Sequence, residues 1–319
     1  MVLIFGYAGF NTTLKEKGII VNRTCMEITA REKGAIYLLY LLNRNLLGII
    51  ETIKWNHENN IRFYRMSSDF APHITNPNLI LEKDRNDFTK LAYSIESIVP
   101  TLEYLGKKIK EYNIRVTFHP DLFNVLNSDK PEVVIRTYRD LYFHTLILDT
   151  MKLSNDSVIV LHGGGVYGNK PKYMQKWVEN YEKLPENIRN RVVLENDETS
   201  YSIEDVLEIN KKTQVPIVFD VFHHYCHDLY SKNKNIKYNP ISITQALNKC
   251  LKTWKNRHMK IHISEQSDMN TFGAHSDYVK TIPEEILEFS KNHDLYVMVE
   301  AKKKELAALF LMKKYKNYL

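Results

Sequence analysis

The chain has 319 residues, 44% of them hydrophobic, and a formal net charge of +6 at pH 7. This length and apolar content suit one large globular domain, because a (β/α) barrel needs about 250 residues plus insertions. The three scattered cysteines argue against a disulfide framework, and no apolar run approaches the roughly 18 residues of a membrane span, so we expect a cytoplasmic protein with no membrane partner.

Short β-branched runs alternate with longer amphipathic stretches along the whole chain. In order, they predict strands over residues 2–7, 61–66, 114–119, 158–162, 191–195, 216–220, 259–263 and 295–300. Helices are predicted between them, one starting at Pro131 and another at Ser202, which has Asp205 three residues on as in a capping box. Eight β–α units in one unbroken series favour a closed α/β TIM barrel over an open sheet. We therefore predict a single barrel domain over residues 1–319.

Ligand-type side chains stand at or just after the ends of six of these strands. They are His119, His162, Glu195, Asp220, His223, His262, His275 and Glu300. A single one is more often a hydrogen-bonded structural residue, but in a TIM barrel all of these strand ends meet at one mouth. So many imidazoles and carboxylates together require cations, and mixed nitrogen and oxygen ligands suit Zn²⁺ or Mn²⁺. We predict two or three ions, which favours phosphoester hydrolysis.

Lys260 precedes His262 by two residues and so faces the same way on its strand. Two interpretations stay open from this spacing. The residue is either a lysine of lowered pKa that contacts a phosphate, or a carbamylated lysine whose added carboxylate binds metal.

The motifs as a set resemble those of a known family. They are GYAGFN, YRMSSDFAPH, TFHPD followed by LNS, VLHGGG, LENDE, FDVFHH, KIHIS, GAHSDYV and VEAKKKE. Each is weak alone, since HGGG also occurs in unrelated hydrolases, but their order along the chain is specific. The chain resembles, essentially end to end, the ultraviolet damage endonucleases, which are relatives of endonuclease IV among the xylose-isomerase-like TIM barrels.

The resemblance implies a metal-dependent DNA endonuclease. Such an enzyme hydrolyses the phosphodiester immediately 5′ to pyrimidine dimers, photoproducts and other distorting lesions, leaving a 3′-hydroxyl and a 5′-phosphate, and so initiates excision repair. Its partner is damaged double-stranded DNA, and it needs no organic cofactor. Mn²⁺ is the expected metal, with Zn²⁺, Mg²⁺ or Co²⁺ as alternatives, and we expect a monomer.

The resemblance also implies three ligand sets. These are His119, His162 and Glu195 for one ion; Glu195, Asp220, His262 and Glu300 for a second; and His223 with His275 for a third. Endonuclease IV has an aspartate where this chain has Gly273, and a carbamylated Lys260 would make up for that anion. The residues expected to be catalytic are Glu195, Lys260, His262 and Glu300.

Contacts with DNA are expected on several strand-end loops. The family pattern implies them for Tyr7 and Asn11, and the loop after the second strand adds Arg65 and Ser67. Family members place Gln and an aromatic residue after the third strand to probe the duplex, whereas this chain has Leu122 and Phe123. An apolar pair can still wedge into a base stack, but the loss of the amide puts the range of lesions in doubt.

Two other functions compete with this interpretation. A sugar isomerase or epimerase on the same barrel uses one or two ions, so the additional pair His223 and His275 argues against it. A non-catalytic lesion-binding protein would have lost metal ligands, and the sequence retains all of them.

Overall fold

The computed structural model describes residues 2–268 and 271–319. It contains eight strands, which are β1 Leu3–Ala8, β2 Phe63–Arg65, β3 Arg115–Thr117, β4 Ile159–His162, β5 Val192–Glu195, β6 Ile217–Asp220, β7 Lys260–Ile263 and β8 Leu295–Val299. All paired strands are parallel, in the order β3-β2-β1-β8-β7-β6-β5-β4. Phe118, just after β3, bridges Ile159 of β4 and brings the two ends of the series together. The predicted TIM barrel is confirmed.

Helices connect the strands around the outside of the barrel. They are α1 Thr12–Glu16, α2 Glu27–Glu58, α3 Val99–Glu111, α4 Pro131–Thr150, α5 Lys170–Glu182, α6 Glu186–Arg189, α7 Ile203–Thr213, α8 Val221–Asn233, α9 Ile243–Trp254, α10 Glu284–Ser290 and α11 Lys304–Lys314. The predicted helix start at Pro131 is confirmed. So is the capping box before α7, in which the Asp205 N–H donates to Ser202 Oγ and the Ser202 N–H donates to the Asp205 carboxylate.

Helix α2 spans 32 residues and bends at Gly34, whose φ of 67° lies outside the helical region. An 18-residue window in this helix has a mean hydropathy of 1.2, so by length and composition alone α2 could cross a membrane. The window is not one continuous apolar run, since every 18-residue stretch of α2 contains Asn43 and Arg44. Half of the window is buried, with Leu42, Leu46 and Ile49 fully so, as expected where a helix packs on a barrel.

The amino-terminal end of the barrel is closed by Arg115, the first residue of β3. Its guanidinium donates from Nε to the Asp156 carbonyl (2.7 Å) and from Nη1 to the His258 carbonyl (3.0 Å). It also stacks over the Tyr296 ring at 4.6 Å. Since this end is filled, the strand-end side chains of functional interest lie at the opposite, carboxyl-terminal end.

Candidate metal centre

Glu195, the last residue of β5, lies at the middle of the carboxyl-terminal mouth and is fully buried. Three imidazoles surround its carboxylate. His262 Nδ1 is 2.9 Å from Oε1, His119 Nε2 is 3.1 Å from Oε2, and His223 Nδ1 is 3.4 Å from Oε1. These histidines follow or belong to three different strands, so the closed barrel is what brings them to one carboxylate.

Two groups of ligand atoms share Glu195. His119, His162 and Glu195 form one, and Glu195, Asp220 and His262 form the other, with the ligand atoms of each group within 4.8 Å of one another. Glu300 adjoins the second group, since its Oε1 lies 3.2 Å from His262 Nδ1. The structure therefore brings together the residues predicted for the first two ions.

Several polar atoms in this centre are buried without a hydrogen-bond partner. They are Asp220 Oδ2, His162 Nδ1 and His262 Nε2. Buried polar atoms of this kind destabilise a fold unless something binds them. Carboxylate oxygens and imidazole nitrogens are donor atoms for Zn²⁺ and Mn²⁺, so the residues present fit divalent ions.

The residues predicted for a third ion lie at the edge of this centre. His275 Nδ1 is 3.8 Å from Glu300 Oε2, and His223 Nε2 is 3.8 Å from Glu198 Oε2. Among residues 2–268 and 271–319, no group containing both His223 and His275 meets the spacing of the two groups above, so the third ion stays a prediction.

Glu198 is a residue that the sequence reasoning missed. A side chain at Gly273 would start 3.9 Å from Glu198 Cγ, so Glu198 supplies a carboxylate beside the position where endonuclease IV has its aspartate. The signal was present in the motif LENDE, but nothing local shows that its last acid turns toward His223.

The charges of the centre shift several pKa values. Burial raises the pKa of the Asp220 carboxyl to about 7, and the Glu195 and Glu300 carboxylates act in the same direction. Burial also raises the pKa of the Glu195 carboxyl. The imidazoles of His262 and His162 outweigh burial and hold this pKa well below the usual range. Burial lowers the pKa of His223, yet the carboxylates of Asp220 and Glu195 outweigh it and raise that pKa well above the usual range. Negative charge is thus concentrated at Glu195, as metal binding requires.

Lys260 lies on β7 beneath the centre and is fully buried. Its Nζ has no hydrogen-bond partner and stands 5.5 Å from the Phe63 ring centroid. Burial, together with the positive charges of Arg65 and Arg115, lowers the pKa of this amine well below its usual value. Arg65 itself forms an ion pair with Glu300 at the mouth.

The residues predicted to contact DNA differ in exposure. Leu122 and Phe123 are 69% and 75% exposed after β3. Arg65, the last residue of β2, and Ser67, just after that strand, are partly exposed. Tyr7 and Asn11, in contrast, are buried. The Tyr7 hydroxyl donates to Asn56 Oδ1 (2.8 Å) and accepts from Asn11 Nδ2 (3.0 Å). Neither side chain reaches the surface in this structure, so their contact with DNA stays a prediction.

A groove of about 620 Å³ leads from His162 to Leu122 and Phe123. Tyr167, which follows β4 and is 65% exposed, lines the same groove. Its ring lies 4.8 Å from that of Tyr173 and against Gly165, where a Cβ would meet it at 2.6 Å. The sequence reasoning missed this tyrosine, and the groove is therefore more aromatic than the loop after β3 alone indicates.

Comparison with known proteins identifies the family of the chain. The family described as UV-endonuclease UvdE matches residues 3–319. A putative UV-damage endonuclease of Acanthamoeba polyphaga mimivirus is 33% identical over 317 residues, which cover 97% of this chain and 90% of the viral protein. A UV DNA damage endonuclease of Bacillus mycoides (strain KBAB4) is 30% identical over 325 residues, covering 98% and 94% of the two chains.

Among solved structures, the crystal structure of SacUVDE superimposes with a TM-score of 0.81 at 29% identity and covers 99% of this chain and 100% of its own. A 3-keto-D-glucoside 4-epimerase from E. coli is similar in fold, with a TM-score of 0.54 at 14% identity, covering 84% of this chain and 94% of its own. The epimerase shares the barrel alone, whereas the family match and the viral and bacterial relatives extend along nearly the whole sequence. The chain belongs to the UV-endonuclease UvdE family.

Proposed function

We propose that this protein nicks the DNA backbone immediately 5′ to pyrimidine dimers, photoproducts and other distorting lesions, leaving a 3′-hydroxyl and a 5′-phosphate. The observation that carries the proposal is the buried Glu195, shared by two groups of metal-ligand atoms at the open end of the barrel. Two or three divalent ions, with Mn²⁺ as the first candidate, are part of the proposal.

The contacts above support the first two of three proposed ligand sets. His119, His162 and Glu195 hold one ion; Glu195, Asp220, His262 and Glu300 hold a second; and His223 with His275 holds a third. Such ions, when bound, lower the pKa of water and stabilise the extra negative charge of a phosphodiester in its transition state.

The chain's own residues position the substrate around this centre. Arg65 is held by Glu300 and keeps part of its guanidinium exposed, so it can donate to a phosphate at the mouth. Leu122 and Phe123 insert into the base stack, where unstacking is easiest at a damaged step. Tyr7 and Asn11 need a local rearrangement before they meet the extruded nucleotides, because both are buried.

We also propose that Lys260 is carbamylated. A lowered pKa increases the neutral fraction of the buried amine, and a neutral amine attacks carbon dioxide, forming an N–C bond and releasing one proton. The resulting carboxylate places a negative charge near the positive charges of Arg65 and Arg115. Carbon-13 NMR of folded protein equilibrated with carbon-13-labelled bicarbonate at neutral pH tests this, and the absence of a carbamate signal that depends on Lys260 contradicts it.

The function is tested with purified protein and an end-labelled duplex that carries one defined pyrimidine photoproduct, next to the same duplex without damage. We expect Mn²⁺-dependent nicking at the 5′ side of the photoproduct only. Binding without nicking by protein that retains two or more ions per chain would support a lesion-binding protein instead. Neither binding nor nicking would direct the search to sugar isomerisation on the same barrel.

A further inference from the structure

A second groove opens on the same face of the barrel, on the other side of the metal centre from Phe123 and Tyr167. It has a volume of about 470 Å³ and is lined by Phe10, Thr12, Lys15, Glu16, Asp277, Lys302 and Lys303. These residues follow the carboxyl ends of β1, β7 and β8, whereas the first groove lies after β3, β4 and β5. The two grooves therefore flank the metal centre.

The lysines of this groove are unpaired. Lys15, Lys302, Lys303 and the adjacent Lys304 form no ion pair with a carboxylate in the described parts of the chain. Eight other lysines, all on or beside the outer helices, do form such pairs. They are Lys108, Lys152, Lys170, Lys172, Lys176, Lys211, Lys232 and Lys291. The charge of this cluster is thus available to an external anion.

Lys304 connects the groove to the metal centre. Burial and the nearby Arg65 lower the pKa of its amine, and the carboxylates of Glu300 and Glu305 act on it in the opposite direction. Lys304 also has a φ of 48°, a left-handed conformation that residues other than glycine rarely adopt. Strained backbone of this kind tends to occur at functional sites, where the surrounding structure holds it in place.

An aromatic ring lies between two of these cations. Lys15 Nζ stands 4.4 Å and Lys304 Nζ 5.5 Å from the centroid of the Phe10 ring. Cationic grooves that also offer an aromatic face are typical of surfaces that follow a nucleic-acid strand, with phosphates on the cations.

The walls of the groove are held in position by the fold. The Lys302 N–H donates to the Ser276 carbonyl (3.0 Å) and the Lys303 N–H to the Asp277 carbonyl (3.1 Å). On the opposite wall, the buried Glu305 carboxylate accepts from the backbone N–H groups of Thr12 and Thr13, each at 2.7 Å. The loops that carry the lysines are therefore ordered before any ligand binds.

We propose that this groove binds consecutive phosphates of the substrate's DNA backbone next to the metal centre. Lys304 contacts the phosphate nearest Glu300, and Lys15, Lys302 and Lys303 contact those further out. The inference rests on the proposed endonuclease function. Glu16 and Asp277 also line the groove and oppose the lysines, so they limit the affinity rather than contribute to it.

The test is the salt dependence of binding to a short undamaged duplex, which the enzyme does not cut, measured by fluorescence anisotropy on the metal-loaded protein. Each phosphate contact contributes a slope of about −0.9 to log K against log salt. The variant Lys15→Gln/Lys302→Gln/Lys303→Gln should therefore lose about 2.7 of this slope. Between about 50 and 200 mM salt, its affinity should fall about 40-fold less than that of the unmodified chain.

A matched control removes the same charge elsewhere. Lys107→Gln/Lys249→Gln/Lys252→Gln changes three exposed lysines on α3 and α9, and its salt slope should stay close to that of the unmodified chain. The opposite change, Glu16→Gln with Asp277→Asn, should tighten binding, because it removes the two acids of the groove.

Nicking of a photoproduct duplex separates this inference from the proposed function. The triple groove variant should have a higher KM than the unmodified chain, with little change in kcat. Normal nicking with an unchanged salt slope would overturn the groove and leave the endonuclease function intact. A reduced slope in a protein that never nicks damaged DNA would support the groove as a phosphate-binding surface while overturning the proposed function.

Discussion

Asp220→Asn separates the metal role of this residue from its structural role. Asp220 begins α8 as its N-cap, and its Oδ1 accepts the His223 N–H at 2.7 Å. Asparagine is an equally good N-cap residue, so the variant keeps this hydrogen bond. The substitution removes only the negative charge of the carboxylate. The second oxygen of that carboxylate, Oδ2, has no hydrogen-bond partner.

The magnitude follows from the pKa of Asp220 in the metal-free protein, which burial raises from 3.8 to about 7. Between these values the folded chain holds a proton that the unfolded chain has released, so stability falls as the pH rises through this window. At about 1.4 kcal/mol per pKa unit, a shift of about three units costs the metal-free protein up to about 4 kcal/mol above pH 7. Asp220→Asn removes this cost, in which the attraction of the carboxylate to His223 is already included.

The assay is urea unfolding of chelator-treated protein on both sides of this pH window. We expect metal-free Asp220→Asn to be more stable than the unmodified chain above pH 7, and the difference to disappear toward pH 4. Added Mn²⁺ should stabilise the unmodified chain but the variant much less, and the variant should not nick DNA. Equal stability of the two metal-free proteins at every pH would refute the reasoning.

Three further predictions concern single side chains. Phe123→Ala should reduce kcat/KM on a photoproduct duplex about 10- to 100-fold, because stacking on an aromatic side chain contributes about 1–3 kcal/mol; unchanged discrimination against undamaged duplex would exclude a wedge. Glu305→Ala should destabilise the protein in urea by about 1–3 kcal/mol, because the Thr12 and Thr13 N–H groups lose their acceptor; an unchanged midpoint would contradict this. Glu198→Gln should lower the metal content by one ion per chain with the urea midpoint of the metal-free protein unchanged, and full metal content would show that Glu198 is no ligand.

The barrel and most of its candidate metal centre were predictable from the sequence because both follow from local patterns. Runs such as residues 191–195 are short, β-branched and flanked by helical periodicity, and a closed parallel barrel brings all their carboxyl ends to one face. A histidine or carboxylate at a strand end is therefore placed near the others without any knowledge of side-chain packing. Glu195 and Asp220 are examples, since each is the last residue of its strand.

Features that depend on packing between distant segments were not predictable. The buried Tyr7 hydroxyl donates a hydrogen bond to Asn56 Oδ1, 49 residues later on α2, and no pattern near Tyr7 indicates this. Glu198 meets His223 through the course of one loop, and Lys15 joins Lys304 through a shared contact with Phe10. Tyr7, Glu198 and Lys304 lie in motifs that the sequence reveals, but only their side-chain contacts indicate a role.

The charge distribution of the mouth bears on how a polyanion approaches it. Glu195, Asp220 and Glu300 gather three carboxyl groups at the centre, so without cations a DNA phosphate would meet negative charge where it must react. The unpaired lysines beside Phe10 attract the backbone to one side of this centre, and divalent ions are needed to reverse the sign at the centre itself. Association with DNA should then depend on the lysines in both metal-free and metal-loaded protein, whereas close approach of one phosphate to Glu195 should depend on the ions.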